Sequence, residues 1–343
     1  MLRQHKHHHD SLLIGLTAIA WLALTLFALA MLAGQALAAT AKEADISANW
    51  QESSIRTTDG RLAYASFGTG PTLFVVPGGP GGSGFGLRHW FEPLGKAHRV
   101  VIVDNLGRGR SSRLADTKRY TVARDAQDLE LLRKHFGLAK IDLYGHSYGG
   151  LVAQFYASEH PSKVEHLVLG NTLHGAQSWQ RQIEYFKQWA LTHWPDRWQS
   201  LMSQRRQGML SSDSAFQAEY GAWIEPLYWF NPANAKQRPP GSTNPSDRFN
   251  QQVYAALLGT DPEWLVGGNL REVELLPRLS SVSAATLIVT GRTDPVAPPL
   301  VALEMQRALK NTQARLLIFE QSGHRPFIEE PTLWVQAISD FLR

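Results

Sequence analysis

Cysteine is absent from all 343 residues. That excludes a disulfide scaffold, thiolate metal sites, iron–sulfur clusters, a cysteine nucleophile and an acylated lipoprotein cysteine. Charge is sparse as well: 19% of the side chains are charged and the net charge is only +4. No block of Lys or Arg stands out, so a nucleic-acid footprint is excluded. Neither an internal repeat nor a low-complexity tract is present. The 43% apolar content is ordinary, which argues against disorder.

The apolar residues are unevenly spread. Residues 11–41 carry no charge, and residues 12–34 are nearly all Leu, Ala, Ile, Phe, Trp and Thr. Such a run is long enough to cross a bilayer, for which about 20 residues suffice. Arg3 and Lys6 precede it, which places the N-terminus inside and the body outside the cytoplasm. Ala36-Leu37-Ala38 has the A-x-A form of a signal-peptidase site. Residues 1–39 are therefore expected to be a signal peptide or an uncleaved membrane anchor, with the body periplasmic or exterior. His5, His7, His8 and His9 read as a polar leader rather than a metal tract.

Short aliphatic or β-branched runs recur in the body at 62–65, 72–76, 100–103, 141–144, 166–169, 286–290 and 315–319. Four or five apolar residues between turn signals suit buried strands. Amphipathic helical patterns lie between them, at 121–136, 151–159 and 331–342. This alternation predicts a mostly parallel central sheet with helices on both faces. Residues 176–275 break the pattern. They contain no convincing strand and are rich in Trp, Gln and Arg, so they read as a helical cap inserted before the last two strands. The expected organisation is a core at 40–175, the cap at 176–275, and the rest of the core at 276–343.

Gly145-His146-Ser147-Tyr148-Gly149 has the form G-x-S-x-G, directly after one apolar run and directly before a helix. In that context it reads as a nucleophile elbow. The glycines are steric requirements: the turn is tight, and side chains two residues either side of the serine would collide. A serine nucleophile needs a base, and the base needs an orienting acid, in the chain order Ser, Asp, His for this architecture. Asp294 follows the 286–290 run, and His324 follows the 315–319 run. Both should stand at the carboxyl edge of the sheet, where such groups gather. Ser147 is the expected nucleophile, His324 the base and then acid, and Asp294 the group that fixes the imidazole. Asn171 occupies the alternative position for the acid, so Asp294 has no rival there. The oxyanion should meet the backbone N–H of Tyr148 and one N–H from the glycine-rich loop 77–82, for which Gly79 is the choice.

These motifs resemble the α/β-hydrolase superfamily and, within it, the proline iminopeptidase family of serine peptidases, over about residues 50–343. Pro77-Gly78-Gly79-Pro80-Gly81 is similar to that family's His-Gly-Gly-Pro-Gly. Residues 104–111, Asp-Asn-Leu-Gly-Arg-Gly-Arg-Ser, are similar to its Asp-x-x-Gly-x-Gly-x-Ser turn. Pro262-Glu263-Trp264 falls where family members carry a cap glutamate. The resemblance implies that Glu263 anchors the substrate's free α-amino group, with Glu184, Glu219 and Glu225 as candidates for a second anchor. The chain departs from the family at Pro77, which stands in place of its histidine. Proline offers neither an N–H nor a side-chain hydrogen bond to brace the loop, so loop geometry and prolyl preference are where a difference is expected.

Two catalytic readings follow. One is an aminopeptidase releasing N-terminal residues, often proline, from short peptides. The other is an esterase or lactonase of small acyl or cyclic esters, for which a tryptophan-rich cap serves equally well. Epoxide hydrolases and haloalkane dehalogenases are disfavoured, because they place Asp where Ser147 stands. A non-catalytic scaffold would lack part of the triad, and none is missing. No metal or organic cofactor is implied. The expected partners are a short-peptide or small-molecule substrate and, through the N-terminal segment alone, a membrane.

Overall fold

The computed structural model describes residues 49–343. The export or anchor segment expected within residues 1–39 lies outside them. Among the described residues no helix is long and apolar enough to cross a membrane.

Eight strands form one sheet: β1 (Gln51–Thr57), β2 (Gly60–Phe67), β3 (Thr72–Val76), β4 (Arg99–Asp104), β5 (Ile141–His146), β6 (Val164–Gly170), β7 (Ala285–Gly291) and β8 (Ala314–Phe319). Their order is β1-β2-β4-β3-β5-β6-β7-β8. The pairs β1–β2 and β2–β4 are antiparallel, and β3 through β8 run parallel with β4. All seven apolar runs are strands. Strand β1 had no such signal, and its composition explains why. It is a polar edge strand, QESSIRT, exposed along most of its length and paired on one side only.

Alternation along the strands divides the core in two. Phe74 and Val76 of β3 join Val101, Val103, Leu143 and Leu167 on one face. Leu73 and Val75 join Val100, Ile102, Tyr144 and Val168 on the other. A parallel sheet must be covered on both faces, which is why its central strands read as unbroken apolar runs.

Numbering only helices of at least eight residues, α1 (Val122–His135) and α2 (Tyr148–Glu159) cover the first face. Helix α1 starts where Thr121 caps the Arg124 N–H at 3.0 Å, and it ends in three basic residues before Gly137. Side-chain caps and terminal cations stabilise the two ends of a helix. The insert between β6 and β7 holds α3 (Ala176–His193), α4 (Pro195–Arg206), α5 (Ser214–Ile224) and α6 (Gln251–Leu258). Helices α7 (Pro299–Ala308) and α8 (Pro331–Phe341) complete the body, and α8 covers the second face with Trp334 and Ile338. The insert joins the sheet through a narrow neck. There Ala176 N–H donates to the Val273 carbonyl at 2.7 Å, and Leu275 N–H to that of His174 at 2.8 Å.

Candidate active site

Strands β3, β5, β6, β7 and β8 are consecutive and parallel in the sheet, so the loops after them gather at one edge. Ser147 follows β5 with φ 53° and ψ −122°. A non-glycine residue there carries backbone strain of about 1–3 kcal/mol, which only a fully determined surrounding can hold. The surrounding is visible. Ser147 N–H donates to the Gly170 carbonyl at 2.9 Å, and its own carbonyl accepts from Gly150 N–H at 2.9 Å and Thr172 Oγ1 at 2.6 Å. A Cβ on Gly149 would come within 2.2 Å of the Val76 carbonyl, and one on Gly145 within 2.4 Å of the Gly149 carbonyl. Both glycines are therefore required by space.

Asp294 and His324 meet as a buried pair, 2% and 5% exposed. His324 Nδ1 lies 3.0 Å from each Asp294 carboxylate oxygen. A carboxylate only accepts, so Nδ1 carries the proton and Nε2 of the neutral ring is left as the acceptor. Asp294 Oδ1 also accepts from the N–H groups of Val296 (2.8 Å) and Ala297 (3.1 Å), and Oδ2 from Asn171 Nδ2 at 2.9 Å. Burial alone would raise the Asp294 carboxyl. His324 and these donors outweigh it and hold the group below its usual range. Ser147 Oγ has no hydrogen-bond partner among the described residues; such contacts commonly tighten only when substrate binds.

Sequence reasoning missed two neighbours. Asn171 does not merely vacate the acid position: it sits at φ 50° and braces Asp294 and the Gly323 carbonyl (3.2 Å). Asn is among the few residues that tolerate that backbone region. His146, inside the elbow itself, places its ring 5.0 Å from the His324 ring and 5.1 Å from Phe327. Burial, reinforced by His324 and Arg325, holds its pKa well below the ordinary value.

The loop 77–82 lies over the serine; a Cβ on Gly78 would touch Ser147 Cβ at 2.8 Å. Gly79 turns at φ 61°, and its carbonyl accepts from Gly82 N–H at 2.7 Å. Neither the Gly79 nor the Tyr148 backbone N–H donates to a protein acceptor among the described residues. With Pro77 unable to brace this loop, other groups do so. Arg108 Nε donates to the Pro80 carbonyl, Asn250 N–H to that of Gly81 at 2.9 Å, and Gly84 N–H to Asp104 Oδ1 at 2.8 Å.

Glu263 is not a surface charge. Its Oε1 accepts from the Tyr254 hydroxyl at 2.7 Å and Gln217 Nε2 at 3.3 Å, and its N–H donates to Ser211 Oγ at 3.0 Å. Burial pushes its pKa up, and the two side-chain hydrogen bonds pull less strongly the other way. Among the described residues no Lys, Arg or His forms an ion pair with it. The segment is pinned by Asp261, whose carboxylate accepts two bonds from Arg205 at 2.9 and 2.7 Å, while the Arg205 guanidinium lies 4.1 Å from the Trp264 ring centre. Tyr228 lies in the fields of both carboxylates, Glu263 and Asp294, and its ring stands 5.5 Å from that of His324. Of the other candidate anchors, Glu184 is taken up by Lys187 at 2.8 Å. Glu225 is engaged by Trp229 Nε1 at 3.2 Å and by Arg238, and Glu219 lies half-buried on α5. None of the three bonds to Glu263.

Residues 71–331 match the family model for the alpha/beta hydrolase fold. The chain belongs to the α/β-hydrolase family, and the mostly parallel eight-stranded sheet agrees. Within that family it is an enzyme that resembles the proline iminopeptidases. It is 28% identical over 299 residues to a proline iminopeptidase of Heyndrickxia coagulans, covering 85% of this chain and 99% of that one. The structure of a proline iminopeptidase from Mycobacterium smegmatis superposes with a TM-score of 0.67 at 18% identity, covering 85% and 97% of the two chains. The fold is shared more widely: an enol-lactonase from Burkholderia xenovorans LB400 reaches a TM-score of 0.59 at 17% identity, over 84% and 99%.

Proposed function

We propose that the protein is a serine aminopeptidase of proline iminopeptidase type. Ser147 attacks the carbonyl of the N-terminal residue. His324 takes the serine proton and passes it to the leaving amine, and Asp294 holds the Nδ1–H tautomer and stabilises the imidazolium. The acyl-enzyme is then hydrolysed by water along the same path. The free N–H groups of Tyr148 and Gly79 receive the oxyanion.

The observation that carries the peptidase reading is Glu263. A half-buried carboxylate without a basic partner carries a desolvation cost. A substrate ammonium placed against it would remove that cost through a charge-assisted hydrogen bond. Because only the N-terminal residue carries an ammonium one carbon away from the scissile carbonyl, the same contact favours release of terminal residues. The relatives named proline iminopeptidase support this reading. An esterase or lactonase would need the serine, histidine and aspartate but would leave Glu263 unemployed.

The test is turnover of proline 4-nitroanilide, alanine 4-nitroanilide and 4-nitrophenyl acetate by the full chain, with Ser147→Ala beside it. The proposal expects the prolyl arylamide to be cleaved and Ser147→Ala to lose essentially all turnover with its fold intact. Retained turnover in that variant sinks the mechanism, and ester cleavage without arylamide cleavage sinks the peptidase reading. We further propose that residues 12–34 export or anchor the body; a full chain found in the cytosolic fraction of its host would contradict this.

A further inference from the structure

The two groups assigned to the oxyanion come from segments far apart in sequence, the elbow at 147–148 and the loop at 77–82. One buried carboxyl group links them. On one side, the Tyr148 hydroxyl donates to Asp125 Oδ2 at 2.6 Å. On the other, Arg108 grips Asp125 with two parallel bonds, Nη1 to Oδ1 at 2.7 Å and Nη2 to Oδ2 at 2.8 Å. The third donor of that guanidinium, Nε, binds the carbonyl of Pro80, the residue after Gly79. Arg108, Asp125 and Tyr148 are all at most 3% exposed. The Arg108 guanidinium also lies 5.7 Å from the Tyr148 ring centre and 5.9 Å from that of Tyr120. The path therefore runs from the Tyr148 ring through Asp125 and Arg108 to the loop, without crossing water.

We propose that Asp125 and Arg108 are positioning residues that set the distance between the Tyr148 and Gly79 N–H groups. The inference rests on the reading of those two groups as the oxyanion hole. Geometry supports a positioning role over simple packing. A planar fork in bidentate contact fixes orientation as well as distance, and both ends of the link reach a segment that carries an expected donor. The link also supplies a brace for the loop in a chain where Pro77 supplies none.

The experiment uses the full chain, 4-nitrophenyl acetate as substrate and an arylboronic acid as a tetrahedral analogue. The variants are Tyr148→Phe, Arg108→Lys, their double, and Ser147→Ala. Removing an oxyanion donor outright costs on the order of 10²–10³ in kcat, so misplacing one by a fraction of an ångström should cost about tenfold. Tyr148→Phe keeps its backbone N–H and should lower kcat about tenfold, leave KM within about twofold, and weaken boronate binding by the same factor as kcat. Arg108→Lys should act in the same direction. Because both changes work through Asp125, the double variant should be little worse than the larger single.

Unchanged kcat and boronate affinity in folded Tyr148→Phe would overturn the inference. So would losses that multiply in the double variant. If Arg108→Lys does not fold, Tyr148→Phe alone decides. Full loss of turnover in Ser147→Ala with wild-type behaviour in Tyr148→Phe removes this inference and leaves the serine mechanism standing. Retained turnover in Ser147→Ala removes both.

Discussion

Tyr254 donates its hydroxyl to Glu263 Oε1 at 2.7 Å, inside a cap that offers this carboxylate no cation. Tyr254 sits on α6, whose N-cap residue Asn250 binds the Gly81 carbonyl of the loop over Ser147. Glu263 in the cap and the loop over the serine are thus joined through one short helix. Substrate charge would be read on one side of it, and the scissile carbonyl handled on the other.

Glu263→Gln keeps the shape and an acceptor for Tyr254 but removes the charge. A hydrogen bond to a charged group contributes roughly 1.5–3 kcal/mol, so kcat/KM for proline 4-nitroanilide should fall about 10- to 100-fold. Hydrolysis of 4-nitrophenyl acetate, which has no ammonium, should stay within about twofold. Steady-state kinetics on both substrates checks this, and equal losses would remove Glu263 from amine binding.

The same variant should be the more stable protein. Burial raises the Glu263 carboxyl above its ordinary value of 4.5 in the folded state. The folded chain therefore binds its proton more tightly than the unfolded chain does. Stability attributable to this group is lost as pH rises from the unfolded value through the raised folded one, and the deficit is constant above it. Glu263→Gln should melt higher at neutral pH, by about 2–4 °C for each kcal/mol recovered. The gain should vanish below the ordinary carboxyl value of 4.5. Thermal melts across pH decide it; a lower melting temperature at neutral pH would contradict the assignment.

His146 gives the opposite sign. Its folded pKa lies well below the ordinary histidine value of 6.5, chiefly through burial. The unfolded chain then takes up the proton first, so stability is intact above 6.5 and is lost as pH falls below it. The loss is about 1.4 kcal/mol per pH unit until the folded value is reached. His146→Phe, which preserves a flat ring against Phe327, should move acid unfolding to lower pH and change nothing at alkaline pH. Urea unfolding at several pH values reads this, and an unmoved acid limb would show that His146 is not held neutral by its surroundings.

These residues also show which parts of the architecture are written locally. The strands carrying the loops were legible because a buried parallel strand has no polar face, and β3 is buried at every position. Ser147 and Asp294 were legible because each follows such a strand within a few residues, and His324 because the half-exposed edge strand before it still ends in the apolar run Leu316–Phe319. Strand β1 was not, since its pairing with β2 rather than its composition makes it a strand. Asn171, His146 and Asp125 act through partners far away in sequence: Asp294 is 123 residues from Asn171, and Tyr148 is 23 from Asp125. One signal for Asp125 was present. It shares the inward face of α1 with Val122, Ala126 and Leu129, and a carboxylate among core positions implies buried partners.

The central claim is that a free terminal ammonium is read by Glu263 while Ser147 attacks. The most direct test compares proline 4-nitroanilide with its N-acetyl derivative on the full chain. The two share the scissile bond and leaving group and differ in the charge at the terminus. The account predicts hydrolysis of the free amine and a kcat/KM at least about 100-fold lower for the acetylated substrate, with Glu263→Gln closing most of that gap. Equal rates on the two substrates, or the same preference surviving in Glu263→Gln, would contradict it.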